Sequence, residues 1–169
     1  MRLAPQVPFS VSAVPASLGS AGVAQTMREM RRLIDEGKRD AGIIATAHTV
    51  IFTQPEKLEA AEACSLFEFV RDHIRYTRDV VGHETLASAR ITLARQAGDC
   101  DDQTVLLGAM LEAVGYPVRL VVAAYDGPGV WAHVYLQVWA EGRWIDCDPT
   151  ERQAFGWAPP GAMGLWVES

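Results

Sequence analysis

The sequence predicts an α+β domain, and three observations carry that expectation. Apolar residues recur at helical spacing through the first half of the chain. A polar loop, "RQAGDCDD", then runs into a segment that is apolar almost all round, and after Gly115 come three extended apolar runs separated by the turn sequences "DGPG" and "EG". Helices first and an antiparallel meander afterwards is the α+β order. The chain has 169 residues, 49% of them hydrophobic and 21% charged, which suits one globular domain with a substantial core.

Each element follows from local pattern. Pro5, Pro8 and Pro15 remove backbone donors and favour extended geometry, so residues 1–20 read as an extended N-terminal arm. Met27, Met30, Leu33 and Ile34 recur at helical spacing over residues 22–37, and Gly37 supplies a C-cap. A short helix is expected in "AGIIATAHTVIF". Pro55 opens a longer one, on which Leu58, Ala61, Leu66, Phe69, Val70, His73 and Ile74 form one stripe, with His73 a packing residue. After Tyr76 no period is sustained, so a loop with a short strand or a turn of helix is expected up to Gly98, of the kind that often lines a site.

From Asp99 a helix is predicted that is buried all round and ends at Gly115. "PVRLVVAAY", "WAHVYLQVWA" and "RWIDCDPT" are the three strands. The organisation expected is an arm over residues 1–20, one domain over 21–152 and a tail over 153–169.

Charge and cysteine content exclude several classes. A formal net charge of -6 gives no basic footprint for nucleic acid or an anionic membrane surface. Arg28, Arg31 and Arg32 are interleaved with acids and read as a solvated helix face. Three widely spaced cysteines do not make a disulfide framework. No Cys-x-x-Cys or His-x-x-x-His pair suggests zinc, and a site built from Cys100, His133 and nearby aspartates has no recognised metal spacing. Neither a metal nor another cofactor is expected. The N-terminus lacks a continuous apolar h-region, although small residues around Ala21–Ala24 imitate a cleavage site, so a cytoplasmic or virion-associated protein is expected.

The chemistry concentrates at Cys100, which lies among Asp99, Asp101 and Asp102 where the loop becomes a helix. Unpaired N–H groups and the helix dipole favour a thiolate there, whereas the carboxylates oppose it. A thiolate at this position calls for an imidazolium partner, and His133, near the start of a strand, is the natural candidate. Strand alternation sets His133, Tyr135, Gln137 and Trp139 on one face and Val134, Leu136 and Val138 on the core face. In the next strand Ile145 and Cys147 face the packing side, with Trp144, Asp146 and Asp148 opposite. One of these carboxylates is then within reach of His133 and would orient its other nitrogen toward the thiol. Cys64 reads as core, and His48 and His83 have no nameable partner.

"AGDCDDQTVLLGAMLEAVGYPVRLVVAA" followed by "WAHVYLQVWAEGRWIDCDPT" resembles the core of the transglutaminase-like superfamily. Its pattern is a Gly-Asp-Cys nucleophile opening a helix, a histidine opening a strand and an Asp-Pro-Thr-like aspartate closing the next. The resemblance covers about residues 70–150. It implies a papain- or transglutaminase-like core, with Cys100 as nucleophile, His133 as base and then acid, and Asp148 as orienting carboxylate. The backbone N–H of Cys100 is one oxyanion donor expected from geometry. Tyr76, Gln96 and Thr92 remain open as the second, with Tyr76 favoured because an I-x-Y segment upstream is common in such proteins.

The expected reaction passes an acyl group from a peptide-type amide through a Cys100 thioester to water or an amine. A small cysteine peptidase or amidase is favoured, since the chain has no room for the extra domains of animal cross-linking enzymes and no calcium loop. Sequences of this compact type also resemble proteins of bacterial and prophage genomes. A structural or binding module with an idle site, part of a larger particle such as a phage virion or tail, is the alternative. The arm and the tail "GWAPPGAMGLWVES", with Trp157, Leu165 and Trp166, would serve it as assembly surfaces.

Overall fold

The structure is a computed structural model, and it describes residues 11–13, 20–52, 54, 58–78, 85–127 and 130–168. Pro55 and His83, on which two expectations rest, lie outside the described residues, as does the side chain of Trp166.

Helix α1 (Ser20–Gly37) buries Met27, Met30, Leu33 and Ile34 on one stripe, as the spacing predicts. Helix α2 (Ala41–Ile51) starts at Asp40, whose Oδ1 accepts from the backbone N–H of Gly42 at 2.8 Å and of Ile43 at 3.2 Å. Helix α3 (Glu59–His73) has Leu58 at its N-cap, half-exposed rather than on the stripe. Its buried side is Ala63, Leu66, Phe67 and Val70, rotated from the expected face. Phe67 was absent from the expected stripe, yet it is fully buried, and truncating such a side chain costs about 3–5 kcal/mol. His73 is exposed instead of packed: its Nδ1–H donates to the Phe69 carbonyl at 3.0 Å and its ring stacks on Phe69.

The connection read as irregular contains β2 (Arg75–Tyr76), β3 (Thr85–Ala87), α4 (Ala89–Arg95) and β4 (Ala97–Gly98). β2 pairs in parallel with β4, and β3 pairs antiparallel with β1 (Val11–Ala13), which lies within the segment read as a free arm. Helix α5 (Cys100–Ala113) is buried on all sides from Asp102 to Leu111 and gives way to Gly115 at φ 97°, a left-handed position that suits a residue without a Cβ. Its Gly108 admits Ile34 of α1, since a Cβ there would stand 2.8 Å from the Ile34 Cδ1.

Ion pairs add a second link between these helices. Glu112 of α5 receives Arg31 at 2.7 Å and Lys38 at 2.9 Å, so Arg31 is part of an interhelical pair and not simply a solvated face. Arg32, by contrast, pairs on the surface with Glu29 and Glu36 of its own helix.

Strands β5 (Val118–Ala124), β6 (Trp131–Ala140), β7 (Arg143–Cys147) and β8 (Gly164–Glu168) form one antiparallel sheet in the order β7-β6-β5-β8. Val134, Leu136 and Val138 face the helices, as alternation requires. The opposite face is covered near Tyr135, where Val121, Ala123, Tyr125 and Ala162 pack together. The segment read as a tail therefore contributes the fourth strand: β8 pairs with β5 from Leu120↔Glu168 to Ala124↔Gly164. Leu165 remains exposed on it, whereas Trp157 is partly buried.

Candidate active site

Three elements bring the singled-out residues to one place. Asp99 caps α5, its Oδ1 accepting from the Asp102 N–H at 3.1 Å, so Cys100 is the first residue of the helix. The start of α5 packs on β6, where the buried Thr104 hydroxyl donates to the Val134 carbonyl at 3.4 Å. The Val134 N–H, on the residue after His133, points to the Cys100 sulphur and favours its anionic form. A 14-residue helix and a strand thus deliver the thiol and the imidazole to the same end of the sheet.

His133 and Asp148 form a direct pair. The His133 Nε2–H donates to Asp148 Oδ2 at 2.6 Å, with the imidazole 18% exposed and the carboxylate fully buried. An ionised carboxylate only accepts, so this bond keeps hydrogen on Nε2 and leaves Nδ1 for another partner. Burial works against the imidazolium, but the bond and charge of Asp148, aided by Glu151 and Asp101, outweigh it and raise the His133 pKa above 6.5. Asp148 lies just beyond β7, buried rather than on an open strand face.

Thr150 is the residue that sequence reasoning missed here. Its backbone N–H and its hydroxyl both donate to Asp148 Oδ1, at 3.1 and 2.6 Å. One carboxylate oxygen is thereby held by the turn while the other meets His133. The signal was present in "DPT": an aspartate two residues before a threonine at a proline turn forms such a local ring.

The thiol side is different. Burial, then the charges of Asp101 and Asp99, push the Cys100 thiol well above its ordinary value, against the Val134 N–H. Its S–H donates to Asp101 Oδ1 at 3.4 Å, and among the described residues no hydrogen bond joins the sulphur to the His133 ring. The surroundings of the thiol thus work against the thiolate, desolvation first and the two carboxylates next.

The oxyanion candidates separate. Tyr76 on β2 feels partial burial and then the charges of Cys100 and Asp99, which outweigh the charge and hydrogen bond of Arg78, raise its pKa and keep its hydroxyl protonated. Gln96 is exposed at the left-handed C-cap of α4, where its carbonyl accepts from the Arg75 N–H at 2.9 Å; no hydrogen bond ties its side chain to Cys100. Thr92 is buried and turns its hydroxyl to the Ser88 carbonyl at 3.3 Å.

The neighbouring carboxylate Asp102 has another task. Buried, it accepts from the Ala87 N–H at 2.7 Å and so fastens β3 to α5. Cys147 is fully buried in the core, whereas Cys64, expected in the core, is only partly buried. His48 is exposed on α2. Among the described residues no group of three or more His, Cys, Asp or Glu side chains converges as a metal site.

Fold and site together define a papain-like arrangement, a helix-borne cysteine facing a strand-borne histidine with its carboxylate. The chain matches the transglutaminase-like superfamily core over residues 45–149 and belongs to that superfamily. Its fold is shared by a candidate cysteine protease from Cytophaga hutchinsonii, with TM-score 0.55 and 17% identity over 94% of this chain and 54% of that one. It is shared equally by calcium-bound LapG of Legionella pneumophila, with TM-score 0.56 and 19% identity over 83% of this chain and 87% of that one. A candidate protease from Parabacteroides distasonis aligns with TM-score 0.58 and 13% identity over 76% of this chain. The chain spans about half the length of the Cytophaga structure and about a quarter (27%) of the Parabacteroides one. A search of curated proteins gave no match. Among the described residues no helix is long and apolar enough to cross a membrane.

Proposed function

We propose that the chain is a thiol-dependent acyl-transfer enzyme, a cysteine peptidase or amidase acting on a peptide-type amide. The observation that carries this reading is the 2.6 Å His133–Asp148 pair on the strand that packs against the start of the cysteine-bearing helix. In the proposed cycle the Cys100 proton moves to His133 Nδ1 as the sulphur attacks the carbonyl carbon. The oxyanion is met by the Cys100 N–H, one of the donors a helix start leaves unpaired, and by the Tyr76 hydroxyl. His133 returns the proton to the leaving amine, and water, activated by the same imidazole, releases the acyl group from sulphur. Asp148 holds the imidazole in the tautomer this requires. A primary amine in place of water turns the same cycle into transfer.

The neutral, carboxylate-bound thiol favours a second reading, that the site is idle and the domain is a binding or structural module of a larger assembly such as a phage particle. Peptide or protein is the proposed partner in both readings. Dimethylated casein incubated with a fluorescent primary amine separates the possibilities: new N-termini that depend on Cys100 mean hydrolysis, and amine incorporation means transfer. The catalytic reading expects one of these signals in the unmodified protein and its loss in Cys100→Ala. Equal signals in both proteins, or none in either, would support the module.

A further inference from the structure

Gln103 stands one turn into α5 from Cys100, 1% exposed, between the buried Asp102 and Thr104, both of which have hydrogen-bond partners. Its Nε2–H donates to the Gly98 carbonyl at 3.1 Å, while its Oε1 has no hydrogen-bond partner among the described residues. A buried amide oxygen without a partner costs free energy that leucine or methionine of similar volume would not incur. Packing alone therefore gives no reason for an amide at this position, and its one bond is where a reason has to lie.

That bond ends on a critical peptide. The Gly98 carbonyl also accepts from the Thr77 N–H at 3.0 Å, so both its lone pairs are engaged, one by the exit of β2 and one by α5. Gly98 is wedged against the first turn: a Cβ on it would stand 2.6 Å from the Asp102 Cβ and 3.2 Å from the Thr92 Cγ2. The Gly98–Asp99 peptide plane is thus fixed from two sides, immediately before the N-cap and Cys100. Tyr76, opposite Gly98 in the β2–β4 pair, is tied to the same point.

We infer that Gln103 is a positioning residue that fixes the Cys100 N–H and the Tyr76 hydroxyl relative to each other as an oxyanion site. The inference rests on the catalytic reading above. Gln103 touches no reacting atom. It acts through the Gly98 carbonyl, and a small displacement of an oxyanion donor is enough to slow the reaction strongly.

The test compares two reactions of the same sulphur. With p-nitrophenyl acetate, the Cys100 Sγ–acetyl bond forms, the ester C–O bond breaks, p-nitrophenolate leaves with the electron pair, and the thiol proton passes to His133. That step develops an oxyanion. Alkylation by iodoacetamide displaces iodide at a saturated carbon and develops none. In Gln103→Met and Gln103→Leu, the acetylation burst should slow by about 10- to 100-fold, with the iodoacetamide rate, its pH profile and Tm essentially unchanged or Tm raised. Equal loss in both reactions, an unchanged acetylation rate, or unfolding of both variants would overturn the inference, since the amide would then serve the fold or nothing. If the unmodified protein shows no acetylation burst that Cys100→Ala removes, the catalytic reading itself fails and takes the inference with it.

Discussion

The two halves of the site are built to different standards. On the sheet side, His133 and Asp148 form a closed system: both carboxylate oxygens are engaged, one by the imidazole and one by Thr150, and the histidine is biased toward its charged form. On the helix side, Cys100 is partly buried, flanked by Asp99 and Asp101, and biased toward its neutral form. The imidazole is oriented in advance, whereas the surroundings of the thiol oppose its ionisation. Forming the thiolate by transfer to His133 then requires the neutral imidazole, which the raised histidine pKa disfavours at low pH, and loss of the Asp101 contact.

The largest expected effect comes from breaking the prepared half. Asp148→Asn would offer an N–H where His133 needs an acceptor, forcing hydrogen off Nε2 and onto Nδ1, the nitrogen meant for the thiol. Acetylation by p-nitrophenyl acetate should fall by about 10^4-fold, as expected for a wrong-tautomer change, with the fold retained by circular dichroism. A loss of less than about tenfold would mean that the pair does not orient the base.

The helix half should respond in the opposite direction. Asp101→Asn removes the negative charge from the S–H acceptor at 3.4 Å, so Cys100 alkylation at pH 7 should rise about three- to tenfold and its pH profile should move to lower pH. A slower reaction would show that Asp101 assists the thiol. Thr150→Val is a smaller perturbation: it deletes the 2.6 Å hydroxyl bond but keeps shape and the backbone bond. A drop of about 1 kcal/mol in unfolding free energy and a few-fold slower acetylation are expected from denaturant melts and burst kinetics.

The histidine also predicts a pH dependence of stability. Its pKa is raised in the folded state relative to 6.5, so the folded protein binds the proton more tightly than the unfolded chain. The stabilisation is complete below pH 6.5 and is lost as pH rises through the raised value. Denaturant melts of the unmodified protein and His133→Gln should therefore diverge most at pH 6 and converge toward pH 9. A gap independent of pH would mean that the pair contributes packing and not charge.

Much of this was legible where one physical signal dominated. The helix-period stripe of Met27, Met30, Leu33 and Ile34, the all-apolar run of α5 and the strand alternation around His133 each have one outcome that satisfies burial. Alternation along β6 and β7 brings a carboxylate near His133, and the Asp-Pro-Thr resemblance singles out Asp148, which lies one residue beyond β7. What stayed hidden depends on long-range partners. β8 is a strand because β5 offers an open edge to Gly164–Glu168, and nothing in "GLWVE" encodes that edge. Helix α4 is seven residues long, too short for a period to register, and is held by packing on α5. The face of α3 was misread because Phe67 and Phe69 are two apart and only one can point inward. The thiol's neutral state was hidden too, since Cys100's burial is a property of the assembled domain.

The central claim is that Cys100 and His133 work as a pair, and the pH dependence of iodoacetamide alkylation at Cys100 tests it most directly. The rate would be mapped by mass spectrometry in the unmodified protein and in His133→Ala, with Cys64 and Cys147 as internal controls. The pairing predicts a Cys100 rate at neutral pH above that of both controls and lost with His133, because the neutral imidazole supplies the proton acceptor. An identical profile in the two proteins would contradict the pairing and leave Cys100 as an ordinary thiol at the start of a helix.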